Sequence, residues 1–282
     1  MSKRLFFNTI KHLKLKQIIF QIIYRGKLNK ILIFPLLILK FNRINKNLLW
    51  KSHYKNIDSY LKSNTFNFLN IKHKFNKKID WNFDKNKKLW NYNLNYFDFL
   101  NQNNMSNERS LAIISDFSDS YKSISHGHDP YPTSLRIMNL IKYACERQYF
   151  EKKFIEIIKS DTLRLTKNIE YHILGNHLLE NGFALWFSAV FFQNKSLTKF
   201  SKNLITQQLD EQILEDGGHF ELSPTYHMII ILRILDCINF IRTNSLKENV
   251  FEKFLVNKSA KMKAWLENMT FGDEVVPLIN DS

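Results

Sequence analysis

From Ser110 onward, apolar residues recur at spacings of three and four, the pattern of amphipathic helices. This spacing is found in residues 135–141, 154–158, 163–173 and 178–190. Residues 228–241 are apolar almost all round, which predicts a helix buried on most of its faces. After residue 110 there is no alternation of apolar and polar residues long enough to predict a β-strand. We therefore predict an all-α fold in which residues 110–270 form antiparallel helix pairs curved around a cleft.

Residues 1 to about 85 have a different character, since they are basic, rich in asparagine and irregularly apolar. The whole chain has only 7 glycines and 5 prolines. These are the residues that punctuate hairpins, so their scarcity favours helices over strands. We expect short helices and loops in residues 1–85 and a helical domain over residues 86–270.

The net charge of +15 is confined to the start of the chain. Residues 1–90 contain 21 Lys/Arg and 3 Asp/Glu, whereas the remaining residues contain 20 and 23. One interpretation is a compositional bias toward Lys and Asn. The other is attraction to an anionic membrane surface or an anionic polymer. Nucleic acid is not an expected partner, because no recognised binding motif accompanies the charge.

The two cysteines, Cys145 and Cys237, fall in apolar stretches with helical spacing. Two distant thiols make no disulfide framework, and neither has the spacing of a metal ligand. We expect both to be small buried apolar residues.

No clear signal peptide or transmembrane span is predicted. Residues 18–24 are interrupted by Gln21, and the apolar run at 31–39 contains Pro35. A spanning helix needs roughly 20 apolar residues. An interfacial, amphipathic segment remains open, with peripheral membrane contact through residues 1–85. The compartment stays open between the cytoplasm and the cell envelope.

The first polar cluster occupies residues 90–98, where aromatic and amide side chains alternate. Aromatic faces stack on the C–H face of a sugar, and amides hydrogen-bond to its hydroxyls. We expect Tyr92 to contact substrate. The competing interpretation is the start of a surface helix with aromatic anchors.

The second cluster, residues 126–136, contains two histidines, a glycine and two prolines that fix a loop. Thr133 or Ser134 is expected to cap the helix that follows. Arg136 would then project from its first turn, placed to bind a carboxylate. A metal site at the histidines is disfavoured, since no further ligands stand at a recognisable spacing.

The third cluster is Gly175-Asn176-His177, followed by Glu180 and Asn181. In a helix, His177 shares one face with Glu180 or Asn181. Polar groups on an otherwise apolar helix are costly to bury unless they are hydrogen-bonded or used in function. The alternative to a binding site is a purely structural network, in which these polar side chains hydrogen-bond to one another and cap the helix.

The fourth cluster spans residues 216–227. Ser223 is predicted to be a helix N-cap with Pro224 at the first helical position. Tyr226 and His227 then lie in the first turn, where the partial positive charge of the helix favours a phenolate. Such a tyrosine is a plausible general acid–base.

Together, these clusters resemble the heparinase II/III family of polysaccharide lyases. The matching stretches are residues 90–100, 129–137, 171–181, 211–235 and 277–282, so the resemblance covers roughly residues 85–282. It implies an incomplete α/α toroid, followed by a β-sandwich domain, with the site between them. It also implies β-elimination on uronate-containing polysaccharides, with no cofactor.

The resemblance also assigns roles. Asn176 and His177 would neutralise the uronate carboxylate, and Tyr226 would relay protons. The remaining substrate-binding candidates, which would line or brace the groove, are Arg136, Tyr92, His219, Glu221 and His227. Residues 271–282 would begin the linker to a β-sandwich. We therefore expect weak or no activity from this chain alone, and a separate β-sandwich chain as a partner.

Two other functions stay open at this point. One is a non-catalytic module that binds anionic glycans, and the other is a peripheral membrane protein of surface-polysaccharide assembly. The resemblance leaves the polymer undecided among glycosaminoglycan, alginate and capsular types, and its members are often periplasmic.

Overall fold

The computed structural model describes residues 13–26, 41, 43–52, 54, 57–270, 276–277 and 279–280. Most of the regular structure in these residues is helical. The helices are α1 Leu15–Arg25, α2 Lys87–Tyr96, α3 Asn107–Ser120, α4 Pro130–Arg147, α5 Lys152–Lys167, α6 Gly175–Phe191, α7 Lys195–Gln212, α8 Pro224–Thr243 and α9 Asn249–Met269. Short 3-10 turns lie at Asp98–Asn101, Tyr121–Ser123 and His126–His128.

From α4 onward the helices form successive hairpins. Helices α4, α6 and α8 contact one another in turn, and α2 packs against α4, so these four form an inner row. Helices α5, α7 and α9 pack against α4, α6 and α8 respectively and form the outer row, which α3 extends through its contact with α5. The predicted all-α, incomplete α/α toroid is confirmed.

Helix α8 shows how the sequence sets a boundary of this fold. The Ser223 side chain accepts a hydrogen bond from the Tyr226 backbone nitrogen, and Pro224 occupies the first helical turn, as predicted. The helix is long and apolar enough to cross a membrane by length and composition, but half of that stretch is buried within the fold. It is accordingly a core helix of the toroid.

The expectation of helices and loops before residue 85 is wrong for residues 60–74. Three antiparallel strands lie there, β1 Tyr60–Lys62, β2 Thr65–Phe68 and β3 Ile71–Lys74. Each connecting turn has two residues of positive φ: Ser63 and Asn64, then Leu69 and Asn70. Two such residues make the hairpin turn that matches strand twist. Asparagine tolerates this conformation, so the scarcity of glycine did not exclude hairpins.

The small sheet shares one hydrophobic core with the helices. Phe66 and Phe68 of β2 are buried, and Phe68 meets Trp90 of α2 edge to face at 5.1 Å. Trp50 belongs to the same core cluster. Cys145 and Cys237 are also buried, as predicted. The division of the chain at residue 85 remains a prediction, and the core is continuous across it.

Helix α1 includes the apolar run at residues 18–24. Leu15, Ile19 and Ile22 are 72%, 46% and 63% exposed and lie on one stripe of this helix. The second apolar run, at residues 31–39, lies outside the described residues, as does most of the expected linker at 271–282.

Candidate functional site

A cleft of about 640 Å³ opens where the first turns of α4, α6 and α8 meet α2. Five of the predicted site residues line it together: Tyr92, Asn176, His177, Glu221 and Tyr226. Three helix N-termini therefore face one space. Each carries a partial positive charge, which favours an anionic ligand.

A strained turn leads the chain into the cleft. Leu174 has φ 66° and ψ −155°, a region that residues other than glycine rarely occupy. Gly175 follows with φ 57°. A Cβ atom at Gly175 would lie 2.8 Å from Oε1 of Glu221, the end of a flexible side chain that can shift, so the positive φ is the main reason that glycine is favoured here. Such strain costs about 1–3 kcal/mol and is concentrated at functional sites.

Asn176 occupies the first turn of α6 and is only 4% exposed. Its Nδ2 donates to the Tyr131 hydroxyl over a long 3.5 Å. Its Oδ1 has no hydrogen-bond partner among the described residues. A buried, unsatisfied amide oxygen costs about 1–3 kcal/mol. A ligand that supplies a hydroxyl donor to Oδ1 would recover that cost.

His177 is held from behind and faces the cleft. Its Nδ1 lies 3.0 Å from Oε1 of Glu170, and its ring centroid lies 4.6 Å from that of Tyr131. The other carboxylate oxygen of Glu170 accepts from Asn181 Nδ2 at 3.0 Å. Because Nδ1 is engaged, Nε2 is the ring nitrogen available to a ligand.

Arg233 is a cleft residue that the sequence analysis missed. It lies two helical turns after Tyr226 on α8, and both side chains line the cleft. Arg233 Nε donates to both oxygens of the buried Glu180 at 3.0 and 3.1 Å. Burial alone would lower the pKa of Arg233, but the carboxylates of Glu180 and Asp236 outweigh it and raise that pKa. The i, i+7 spacing from Tyr226 was the sequence signal for it.

The part of the cleft wall that α2 contributes is aromatic. The Tyr92 hydroxyl donates to Asp129, whose carboxylate also lies 2.9 Å from Lys88 Nζ. Burial, followed by the Asp129 hydrogen bond, raises the pKa of Tyr92 to about 12. Tyr96 lies on the same helix and also lines the cleft. Tyr92 is thus a neutral contact surface at physiological pH.

Arg136 does not reach the cleft, which corrects the expectation that it binds a substrate carboxylate. It is fully buried and pairs with Asp161 through Nε at 2.7 Å and Nη2 at 3.0 Å. Its Nη1 donates to the carbonyls of Asn95 and Gly127. The helix α4 begins at Pro130, not after the expected cap Thr133 or Ser134, so Arg136 lies in the second turn and not in the first turn that faces the cleft.

His227 is also buried away from the cleft, so the expectation of a substrate contact is corrected. Its Nε2 lies 2.9 Å from the carbonyl of Met262, and its ring packs against Trp265. A Cβ atom at Gly217, where φ is 92°, would lie 2.3 Å from the carbonyl of Lys261. The Asp-Gly-Gly turn and His227 therefore dock the start of α8 onto α9.

His219 is 1% exposed and does not line the cleft, so it is not placed to contact substrate. Its Nε2 lies 3.1 Å from Oε1 of Gln212, the last residue of α7. Burial, and then the neighbouring His227, lowers the pKa of His219 to about 4. The side chain is neutral at physiological pH and is placed to brace the groove.

Helix α1 forms part of the cleft rim, which the sequence analysis also missed. Lys14 and Gln17 line the cleft. Gln17 Nε2 donates to the carbonyl of Ile173 at 3.1 Å, and Phe20 stacks on Tyr171 with ring centroids 4.5 Å apart. Lys14 pairs with Glu211 across the rim. The basic N-terminal segment thus contributes a cation to the candidate site.

The cleft lining contains carboxylates as well as cations. Lys14 and Arg233 are offset by three acidic residues, Asp98, Glu211 and Glu221. Among the described residues, no group of three His, Cys, Asp or Glu side chains is arranged to hold a metal ion. Attraction for an anion therefore comes from local donors and from the helix N-termini.

Comparison with known sequences also indicates a similarity to the heparinase II/III proteins. The family model described as Heparinase II/III N-terminus matches residues 144–282, a range that includes Asn176, His177 and Tyr226. The heparin-sulfate lyase of Bacteroides stercoris is 26% identical over 116 residues, which are 40% of this chain and 17% of that relative. The chain therefore corresponds to a minor part of this curated relative's length.

Two solved structures share the fold. A heparinase III with methylated lysines superposes with a TM-score of 0.50 at 16% identity, covering 76% of this chain and 40% of that one. The heparan sulfate lyase HepC from Pedobacter heparinus gives 0.50 at 17% identity, covering 76% and 38%. These two structures show that the chain shares their fold, and residues 144–282 are similar to the N-terminal part of the heparinase II/III family.

Proposed function

We propose that the cleft binds a uronate-containing anionic polysaccharide and supports its cleavage by β-elimination. The observation that carries this proposal is the placement of Asn176 and Tyr226. They come from the first turns of adjacent inner helices and line one cleft, with Tyr131 hydrogen-bonded to Asn176. The similarity of residues 144–282 to the heparinase II/III N-terminus, and of the chain to a heparin-sulfate lyase, supports a polysaccharide lyase-type domain.

The chemistry requires a proton to leave a carbon next to a carboxylate. Asn176 Nδ2 and His177 Nε2 would hydrogen-bond to the carboxylate and stabilise the charge that develops on it. Tyr226 would accept the proton from carbon. The C–O bond at the neighbouring carbon then breaks, a C=C bond forms, and Tyr226 returns a proton to the leaving oxygen.

Arg233 extends this assignment. Its guanidinium is fixed by Glu180 on one side and lines the cleft on the other. We assign to it the anion-binding role that the sequence analysis gave to Arg136. A guanidinium held in this way binds a carboxylate or sulfate with little loss of side-chain entropy.

Calorimetry tests the binding half of the proposal. The full chain is titrated with a uronate oligosaccharide and with the same compound after its carboxylates have been reduced to alcohols. We expect the intact compound to bind at least about tenfold more tightly, a difference of about 1.4 kcal/mol. Asn176→Ala should remove most of that preference, whereas the exposed Asn203→Ala should keep it. Equal affinity for both compounds would overturn the proposal.

Ultraviolet absorbance of the unsaturated uronate tests the catalytic half. The chain is incubated with heparan sulfate, hyaluronan and alginate, alone and with a β-sandwich domain of a relative. We expect weak turnover alone and faster turnover with the added domain. Tyr226→Phe should abolish product, whereas Tyr149→Phe should not. Product formation that survives Tyr226→Phe would remove the tyrosine from the mechanism.

A second candidate function, peripheral membrane association, is favoured by one observation. Helix α1 presents the exposed apolar stripe Leu15, Ile19 and Ile22. Apolar stripes in a basic segment bind anionic lipid surfaces. Co-sedimentation with phosphatidylserine vesicles should fall sharply in Ile19→Asp if this function operates. Co-sedimentation that is absent or unchanged by the substitution argues against it.

A further inference from the structure

We infer that Gln212 and His219 form a positioning relay that fixes the Gly175–Asn176 peptide at the edge of the cleft. Neither side chain would touch substrate. The relay would act through the backbone carbonyl of Gly175. The inference rests on the proposed function only for its ligand-binding readout, since the relay itself is a property of the free protein.

The geometry of Gln212 fixes the direction of the relay. Its side chain is fully buried, and its Nε2 donates to the Gly175 carbonyl at 3.0 Å and to Oε1 of Gln208 at 3.1 Å. With both acceptors on the amide nitrogen, Oε1 of Gln212 is left as an acceptor. His219 Nε2 at 3.1 Å must therefore carry a proton.

The loop that carries His219 is itself held in place. Leu214 N donates to the Gly218 carbonyl at 2.9 Å, and Phe220 N donates to the Gln212 carbonyl at 2.9 Å. These bonds close a small hairpin at the end of α7. His219 is thus delivered to Gln212 by the backbone.

The relay acts beside a strained residue at the edge of the cleft. Leu174 has φ 66° and ψ −155°, and strain of this kind persists only where the surroundings hold it. The Gly175 carbonyl is one peptide away from the Asn176 side chain. A hydrogen bond to it therefore restricts the orientation of Asn176 directly.

The same relay connects the two halves of the candidate site. His219 precedes Glu221 by two residues and Tyr226 by seven, whereas Gly175 adjoins Asn176 and His177. The carboxylate-binding residues on α6 are thereby tied to the loop that leads into α8. Loss of the relay should loosen Asn176 while the helices stay folded.

Hydrogen–deuterium exchange of the full chain tests this. In His219→Leu, we expect the amides of residues 178–181, the first of α6 with backbone hydrogen bonds, to exchange about tenfold faster. This is the change expected when about 1.4 kcal/mol of local stabilisation is lost. His219→Gln keeps a donor near the Nε2 position and should restore slow exchange. Affinity for a uronate oligosaccharide should follow, falling about tenfold in His219→Leu and recovering in His219→Gln.

His227→Leu is the matched control, because His227 is equally buried and is bonded to Met262 rather than to the site. It should lower global stability without selectively faster exchange at residues 178–181. The relay is overturned if exchange there is unchanged in His219→Leu, or if His227→Leu produces the same local change. If the wild-type chain binds no uronate ligand, the proposed function is wrong. The exchange data would still show whether the relay exists.

Discussion

His177 and Glu170 are joined by a bond of 3.0 Å between Nδ1 and Oε1, across the turn that contains Leu174 and Gly175. The same carboxylate accepts from Asn181, so its position does not depend on His177 alone. This arrangement aims the free Nε2 of a half-exposed imidazole into the cleft. It also sets His177 beside Asn176, the other residue proposed to hold a carboxylate.

Glu170→Gln should weaken binding of a uronate oligosaccharide about three- to tenfold. A neutral amide holds an imidazole less firmly than a carboxylate does, and residues that orient a ligand-binding histidine contribute in this range or above. Calorimetry at neutral pH measures the effect. Glu156→Gln, which removes only a surface pair with Lys159, is the control and should leave affinity unchanged.

Arg233→Met should destabilise the fold by about 3–5 kcal/mol, because it leaves the buried Glu180 without its partner. The double variant Glu180→Gln/Arg233→Met should recover most of this loss. Urea unfolding measures both changes. Ligand affinity should stay low in the double variant, which separates the proposed binding role of Arg233 from its structural role. If the folded double variant bound the ligand as tightly as the wild-type chain, that binding role would be contradicted.

Lys14→Glu should reduce affinity for anionic polymer several-fold at low salt, with less effect at high salt. The substitution replaces the cation that pairs with Glu211 by a second carboxylate at the cleft rim. Both side chains of the native pair are partly exposed, so stability should change by less than about 1 kcal/mol. Lys62→Glu on β1 does not line the cleft and is the matched charge reversal. Equal losses in the two variants would mean that only net charge matters.

Acid should destabilise the protein partly through His219. The pKa of its side chain falls from 6.5 to about 4 on folding, first because of burial. Between those values the unfolded chain binds a proton that the folded chain does not, so stability falls as pH falls from 6.5 to 4. The loss reaches about 2–3 kcal/mol near pH 4.5. In urea titrations, His219→Gln should show a shallower decline over that window.

The helical architecture could be predicted because apolar spacing records which face of each helix is buried. The cap at Ser223 and Pro224 followed from local chemistry and was confirmed. The three strands at residues 60–74 could not be predicted from glycine content, since Asn64 and Asn70 supply the positive φ that their turns require. Local turn chemistry, rather than composition, decides such hairpins.

The candidate site was only partly readable from the sequence. Clusters of polar residues identified Asn176, His177 and Tyr226, which the structure brings to one cleft. Arg136 was misplaced because α4 begins a few residues earlier than expected, so Arg136 lies buried in the second turn and not in the first turn that faces the cleft. The contribution of Lys14 depends on a contact with Glu211, 197 residues away in sequence, which no local pattern records.

A crystal structure of the Tyr226→Phe chain with a uronate tetrasaccharide tests the central claim most directly. We predict one sugar carboxylate within hydrogen-bond distance of Asn176 Nδ2 and His177 Nε2. The phenyl ring of residue 226 should lie beside the carbon next to that carboxylate. An oligosaccharide bound outside the cleft, or bound in it with every carboxylate directed away from Asn176 and His177, would contradict the account.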